Sequence, residues 1–167
     1  MRVFFGRAEL FKESLDDADI EYFFPTRLVE KPTAGGLKFV PEPLVRSLIF
    51  IKTTRGSLHL LRTKLGGTIV PYYDKAANSP LVVPEKQMEQ FIKLCEMRDS
   101  GLEYLGSDEP KYHQGDRVRV TEGIFKGFEG HVKRIRHDRK LIVTIEGVAA
   151  FATRFIPPSC LEKIENK

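Results

Sequence analysis

The segment from residue 115 to residue 132 constrains the fold more than any other part of the sequence. Its first predicted strand, 117–121, alternates arginine with valine, which gives it one basic face and one apolar face suited to packing inward. Gly123 and Gly130 mark bends, because glycine adopts backbone conformations that other residues resist. Further short strands are predicted at 129–137, 141–145 and 151–156, and the tail 156–164 is expected to close the structure. Short strands with glycine turns predict a small β-barrel.

The residues before this segment follow a different pattern, in which strands and helices alternate. Strands are predicted at 2–5, 20–24, 44–51 and 68–73, and helices at 8–17, in a short stretch capped by Ser57, and after Pro84. Residues 30–43 are rich in proline and glycine, which predicts a long turn or a hairpin tip. This order predicts an α+β domain with one mostly antiparallel sheet and flanking helices.

The charge distribution supports two modules. Residues 1–110 hold 15 Lys and Arg against 16 Asp and Glu, whereas residues 111–167 hold 12 against 7. We therefore predict an N-terminal domain over 1–106, a linker over 107–112 and a C-terminal barrel over 113–167. A basic module is suited to nucleic acid or to an acidic protein, and a solvated basic face is an equally open alternative.

The 115–132 segment resembles the KOW motif of NusG-type transcription factors and of some ribosomal proteins. Residues 42–51, an apolar run after a proline-containing turn, resemble a strand of the NusG N-terminal (NGN) domain, and so do the β-α-β start, the 20–25 run and the helix after Pro84. This resemblance implies an NGN-like domain followed by an SH3-like KOW barrel.

Within that family, the segment 30–43 and the ending 152–158 are similar to the specialised antiterminators of the UpxY and RfaH kinds. The resemblance implies a factor that docks on RNA polymerase and suppresses pausing or termination at particular operons, such as capsular polysaccharide loci. A general NusG-like factor that couples polymerase to Rho or the ribosome is one alternative. A ribosome-associated RNA-binding protein of the KOW type is another.

The resemblance also implies a polymerase-binding set. Val45, Leu48 and Phe50 would contact the polymerase clamp helices, and His59 would meet the gate loop. Since alternate strand residues share a face, Leu48 and Phe50 are predicted on one side and Ile49 on the other. A core position for Leu48 and Phe50 is the open alternative, as is an exposed His59 with no role.

Two further sites follow from the resemblance. Arg7 and Lys12 lie in the region that approaches non-template DNA in the family, and a solvated helix face is the alternative. The loop formed by Phe125, Lys126, Gly127 and Phe128 would bind a small-subunit ribosomal protein or Rho. Its two aromatic residues could equally plug the barrel.

The sequence contains no pattern typical of an enzyme. It has neither a phosphate-binding loop with Lys-Ser/Thr nor a nucleophile elbow, and Cys95 and Cys160 are outside any metal or disulfide spacing. We therefore expect a non-enzymatic protein without cofactor or metal, including at His113, His131 and His137. Apolar runs of membrane-spanning length and a secretory signal are absent from the sequence, which predicts a cytoplasmic location and no membrane partner. The basic strand-turn of Arg134, Arg136, Arg139 and Lys140 could contact RNA or be a solvated turn.

Overall fold

A computed structural model describes residues 1–3, 8–74, 76–97, 101–107, 111, 114–135 and 137–164 of the chain. The helices are α1 (Ala8–Asp16), α2 (Arg55–Leu65) and α3 (Glu85–Glu96). The first eight strands are β1 (Arg2–Val3), β2 (Glu21–Phe23), β3 (Thr26–Thr33), β4 (Gly36–Pro43), β5 (Phe50–Lys52), β6 (Ile69–Val70), β7 (Tyr73–Asp74) and β8 (Ser79–Pro80). The remaining strands are β9 (Glu103–Gly106), β10 (Arg117–Val120), β11 (Glu129–Ile135), β12 (Asp138–Ile145), β13 (Ala149–Phe155) and β14 (Leu161–Lys163).

These elements form two compact units. The first contains residues 1–26 and 41–81, and the second contains residues 27–40 and 82–167. Antiparallel strand pairing runs through both units, and the described residues include three α-helices, which confirms the predicted α+β class. The predicted domains, 1–106 and 113–167, are segments that would each fold independently. These boundaries stay a prediction.

The first unit is built on short antiparallel strand pairs around one apolar core. β1 pairs with β6, β2 with β5 and β7 with β8. The core contains Phe11 and Leu15 from α1 together with Val3, Ile49, Leu61 and Ile69. The predicted apolar face of α1 is confirmed for Phe11 and Leu15, both of which are fully buried, because residues four apart share a helix face.

The helix α2 begins one turn earlier than the sequence pattern indicated. Its N-cap is Thr54, whose hydroxyl oxygen accepts a hydrogen bond from the Ser57 amide at 3.1 Å, so the prediction that Ser57 caps the helix is wrong. Both residues carry a hydroxyl group, and the sequence alone did not distinguish the cap from the third helical residue. Gly66 ends the helix with a positive φ of 57°, which glycine adopts without strain.

Residues 27–40 of the second unit belong to the antiparallel ribbon of β3 and β4. The predicted hairpin in this region is confirmed, although its two strands are longer than a simple tip. Pro32 and Pro41 lie within the strands, where the free edges of a two-stranded ribbon tolerate the missing N–H group. At the turn, the Thr33 hydroxyl donates to the Gly36 carbonyl oxygen at 2.6 Å.

The rest of the second unit is a six-stranded antiparallel sheet in the order β14-β10-β11-β12-β13-β9. β14 pairs with β10, as expected of a tail that closes the barrel. Most residues of β12 and β13 are buried on both faces of the sheet, since the strands carry nearly continuous apolar runs. Against β13 lies α3, whose Phe91 ring is 4.6 Å from the ring of Phe151.

Candidate functional site

The strands β2 and β5 bring two phenylalanines together on one surface. Their register pairs Phe23 with Phe50 and Tyr22 with Ile51. Tyr22 and Ile51 pack against the core of the first unit. Because successive strand residues point to opposite faces, Phe23 and Phe50 lie on the face that points away from that core. Both are half-buried, and we call them the Phe23–Phe50 pair.

Phe23 was not among the site residues predicted from the sequence. The sequence did contain an indication. Residues 22–24 are all apolar, and because alternate strand residues face opposite sides, at least one of them must face away from a core that covers only one side of the strand. Only the register with β5 shows that this residue is directly opposite Phe50.

The structure corrects the prediction for Leu48. The predicted strand 44–51 is wrong over most of its length, since β5 begins at Phe50 and the Leu48 amide closes a turn by donating to the Val45 carbonyl oxygen at 3.2 Å. Leu48 and Ile49 are 1% and 0% exposed, so neighbouring residues are both in the core. A side chain so buried has no surface left for a partner, whereas Val45 is half-buried.

The helix α2 presents His59 to solvent, as its predicted role requires. The neighbouring Leu60 is 70% exposed, which makes it one of the most exposed large apolar side chains of the described chain. Thr63 donates from its hydroxyl to the His59 carbonyl oxygen at 3.0 Å, a bond within the helix that leaves the imidazole accessible. A contact between His59 and a polymerase loop stays a prediction.

Of the two predicted DNA contacts, Arg7 lies outside the described residues. Lys12 is on α1, and its ammonium nitrogen lies 5.2 Å from the centroid of the Phe24 ring, within cation–π range. The side chain is half-buried over that ring. Its predicted contact with phosphate stays untested.

The predicted partner loop divides into two buried and two exposed residues. Phe125 and Phe128 are 4% and 8% exposed, and their rings meet edge to face at 6.3 Å. Both rings are therefore used in packing within the second unit. Lys126 and Gly127 are exposed, and Gly127 takes a φ of +87° at the turn.

Ile124 is an exposed apolar residue in this loop. It is 47% exposed and follows Gly123 at the start of the turn. Ile124 was not predicted as a site residue, because the two phenylalanines nearby were the more conspicuous apolar residues. An isoleucine between turn residues is nevertheless a signal that a loop carries apolar surface.

An acidic residue organises the charges on β10 and β11. The Glu129 carboxylate accepts hydrogen bonds from Arg119 Nε and Nη2 at 3.1 and 2.8 Å, and Arg117 Nη2 lies 3.5 Å from its other oxygen. The hydrogen bond from Arg119 lowers the pKa of Glu129, and the same bond raises the pKa of Arg119. The two strand arginines are thus paired within the protein.

Polar side chains of α3 attach the helix to the barrel strands. Gln87 Nε2 donates to the Thr144 carbonyl oxygen at 2.9 Å, and Gln90 Nε2 reaches the Glu129 carbonyl oxygen at 3.4 Å. An open cleft of about 350 Å³ with polar walls lies beside the helix, lined partly by these residues. The Gln87 side-chain oxygen is buried there without a hydrogen-bond partner among the described groups.

Neither a metal site nor a membrane span is found in the described part of the chain. It contains no group of three or more His, Cys, Asp and Glu side chains that could hold a metal ion. His131 is half-buried on β11 and His137 is exposed, while His113 lies outside the described residues. Within the same ranges, none of the helices has the length and apolar character that crossing a membrane requires.

Comparison with known proteins identifies the motif in the second unit. Residues 114–146 match the KOW motif. One similar solved structure is described as "Domain interaction in Thermotoga maritima NusG", with 20% sequence identity, a TM-score of 0.45, and coverage of 98% of this chain and 94% of that chain. No curated protein sequence matches the chain at a significant level. The chain therefore carries a KOW motif, folded over β10, β11 and β12 of a six-stranded antiparallel sheet.

Proposed function

We propose that this protein is a non-enzymatic transcription factor of the NusG type that docks on bacterial RNA polymerase. The observation that carries the proposal is a KOW motif behind an α+β unit whose sequence resembles the NGN domain. In this reading, the first unit binds the polymerase clamp helices and the KOW unit recruits a second partner.

The Phe23–Phe50 pair is the best candidate for the polymerase contact. Its two rings are cross-strand neighbours on the face that points away from the core of the first unit. Aromatic residues dominate the binding energy of protein interfaces because each side chain buries a large apolar area. Val45, half-buried before β5, would extend the surface, and the exposed His59 would contact the gate loop.

The proposed effect is processivity control. A factor that binds only the closed, elongating state of the polymerase shifts the population toward that state, which suppresses pausing and termination. Action at particular operons, such as capsular polysaccharide loci, rests on the resemblance of 30–43 and 152–158 to the UpxY and RfaH antiterminators. A contact of Arg7 and Lys12 with non-template DNA would add to this specificity.

For the KOW unit we propose that the loop 123–127 contacts a small-subunit ribosomal protein or Rho. The exposed Ile124, Lys126 and Gly127 would carry that contact, because Phe125 and Phe128 are buried. A general elongation factor would use this loop at every operon, whereas a specialised one would use it only where the first unit is recruited.

The second candidate function is a ribosome-associated RNA-binding protein, which the KOW motif itself favours because ribosomal proteins also carry it. The two functions differ in partner and in salt dependence. Apolar docking on polymerase depends weakly on salt, whereas RNA binding loses affinity steeply as salt rises.

The test is capture by the tagged full chain of purified bacterial RNA polymerase and, separately, of ribosomes, over a series of salt concentrations. Retention of polymerase at high salt with no retention of ribosomes supports the polymerase function. Retention of ribosomes alone, lost as salt rises, would replace it with the ribosomal function.

A further inference from the structure

The cleft beside α3, which we call the α3 cleft, has the size of a small-molecule site. Its volume is about 350 Å³, and clefts that hold small ligands begin at roughly 300 Å³. The walls come from α3 and from β10, β11 and β12, all of which belong to the second unit. Pro84 and Val143 contribute apolar wall, whereas most of the remaining lining residues are polar or charged. Such a mixture suits a small polar ligand that also has an apolar part.

Gln87 places a buried hydrogen-bond acceptor in the wall of the α3 cleft. Its Nε2 donates to the Thr144 carbonyl oxygen at 2.9 Å, and this bond fixes which way the side-chain amide points. The other amide atom, Oε1, is buried and has no hydrogen-bond partner in the ranges that the structure describes. A buried acceptor without a partner destabilises the structure that contains it. Because Gln87 lines the cleft, a ligand N–H group can supply the missing bond.

Glu146 adds a negative charge to the same cleft. It follows Thr144 by two residues, and its side chain is exposed. Within the described part of the chain, its carboxylate has neither an ionic nor a hydrogen-bond partner. A carboxylate and an amide oxygen both accept hydrogen bonds, so together they favour a ligand group with several N–H donors, above all an ammonium.

Positive charge in the α3 cleft is concentrated around Glu129. Arg119 donates two hydrogen bonds to this carboxylate, and Arg117 Nη2 lies 3.5 Å from its second oxygen. The hydrogen bond from Arg119 is the main cause that lowers the pKa of Glu129, and the nearby charge of Lys86 lowers it further. Three cations therefore surround one carboxylate, which leaves positive charge for an anionic ligand group.

The N-terminus of α3 adds to this attraction for an anion. Pro84 is the N-cap and supplies no side-chain hydrogen bond, so the backbone N–H groups of Lys86 and Gln87 have no acceptor among the described residues. Both residues line the cleft, whereas Glu85, the acidic residue of the first turn, does not. Unbonded N–H groups and the helix dipole stabilise an anion at such an end.

We propose that the α3 cleft binds a small zwitterion of the free amino-acid class. The ligand carboxylate lies at the N-terminus of α3 beside Lys86 and Arg117, and the ligand ammonium donates to Gln87 Oε1 and to Glu146. A ligand without net charge fits these walls, because the charges of Lys86 and Arg117 balance those of Glu129 and Glu146.

This site is independent of the proposed function, since it involves neither the Phe23–Phe50 pair nor the loop 123–127. The test is isothermal titration calorimetry of the full chain with single L-amino acids that have apolar side chains, namely alanine, valine, leucine and phenylalanine. At least one of them should bind with a dissociation constant below about 1 mM. Its amide, which lacks the carboxylate, and its N-acetyl derivative, which lacks the ammonium, should each bind at least about tenfold more weakly. No saturable binding of any amino acid up to about 10 mM, or equal affinity for both derivatives and the parent, would overturn the proposal.

Two variants test the two ends of the ligand separately. Lys86→Gln should weaken binding of the amino acid and of its N-acetyl derivative by about tenfold and leave binding of the amide unchanged. Glu146→Gln should weaken binding of the amino acid and of the amide by about the same factor and leave the N-acetyl derivative unchanged.

The matched controls are Lys93→Gln and Glu89→Gln, which remove the same charges from exposed positions of α3 that do not line the cleft. They should change the affinities by less than about twofold, because solvent and salt screen distant charges. Equal losses in a control and its matched variant would show a response to net charge alone and contradict the site. Since all four side chains are exposed, the variants should fold as the wild type does, which thermal melts verify.

Discussion

At the scale of single residues, the structure assigns Phe125 and Phe128 to packing rather than to partner binding. We expect Phe125→Ala to lower the free energy of unfolding by about 3–5 kcal/mol, because the substitution leaves a cavity beside the Phe128 ring. Urea denaturation followed by circular dichroism measures the change. The neighbouring Ile124→Ala, at a 47% exposed side chain, should cost about 0.5 kcal/mol or less. Comparable losses for the two variants would contradict this division of the loop.

Cys95 makes the stability of the protein depend on pH in the alkaline range. Burial, and secondarily the charge of Glu96, raises the pKa of the thiol from 9.0 to about 12. Between these values the unfolded chain loses the thiol proton while the folded chain keeps it. The folded state therefore binds more protons, and its stability falls as pH rises above 9, by about 1.4 kcal/mol for each pH unit.

The measurement is urea denaturation at pH 8 and pH 10 for the wild type and Cys95→Ala. Other groups also titrate in this range, so the difference between the two proteins isolates the thiol. We expect the wild type to lose about 1.4 kcal/mol more than the variant between these pH values. Identical pH dependence of the two proteins would show that the thiol ionises as freely in the folded state as in the unfolded state.

At the scale of elements, Gly130 lets β11 and β12 approach each other. A Cβ atom at this position would collide with the Ile142 carbonyl oxygen, which belongs to the backbone and cannot rotate away. We expect Gly130→Ala to lower the melting temperature by at least about 8 °C, the equivalent of a few kcal/mol. The control is Gly35→Ala, where a Cβ atom meets nothing within 4 Å and the melting temperature should stay nearly unchanged. A Gly130→Ala protein as stable as this control would mean that the strands separate without cost.

The elements also show what the sequence could and could not predict. Periodicity identified α1, α3 and the strands of the KOW segment, because each has an apolar pattern of its own. The apolar run 44–51 indicated a strand, yet residues 44–47 form a bend and a turn. Leu48 and Ile49 are both in the core, since burial can be satisfied without alternation. The α3 pattern showed that one helix face is buried. Its contact with Phe151, far along the chain, depends on tertiary packing, which local periodicity does not contain.

At the scale of the whole molecule, the packing of the second unit makes a prediction about fragments. The fragment 82–167 keeps α3 and β9, whereas 113–167 loses the Phe91 contact and the strand that pairs with β13. Exposure of Phe151, which is fully buried in the chain, should lower the melting temperature of the shorter fragment by at least about 8 °C. Equal melting temperatures would favour the domain boundary predicted from sequence at residue 113.

The most direct test of the central claim is the affinity of the full chain for bacterial RNA polymerase. Dissociation constants would be compared for the wild type, Phe23→Ala, Phe50→Ala and the control Val82→Ala, whose side chain is 75% exposed. With folding verified by thermal melts, we expect each phenylalanine variant to bind about 30-fold more weakly and the control to bind as the wild type does. Unchanged affinity in both folded phenylalanine variants, or no binding by the wild type, would contradict polymerase docking through this pair.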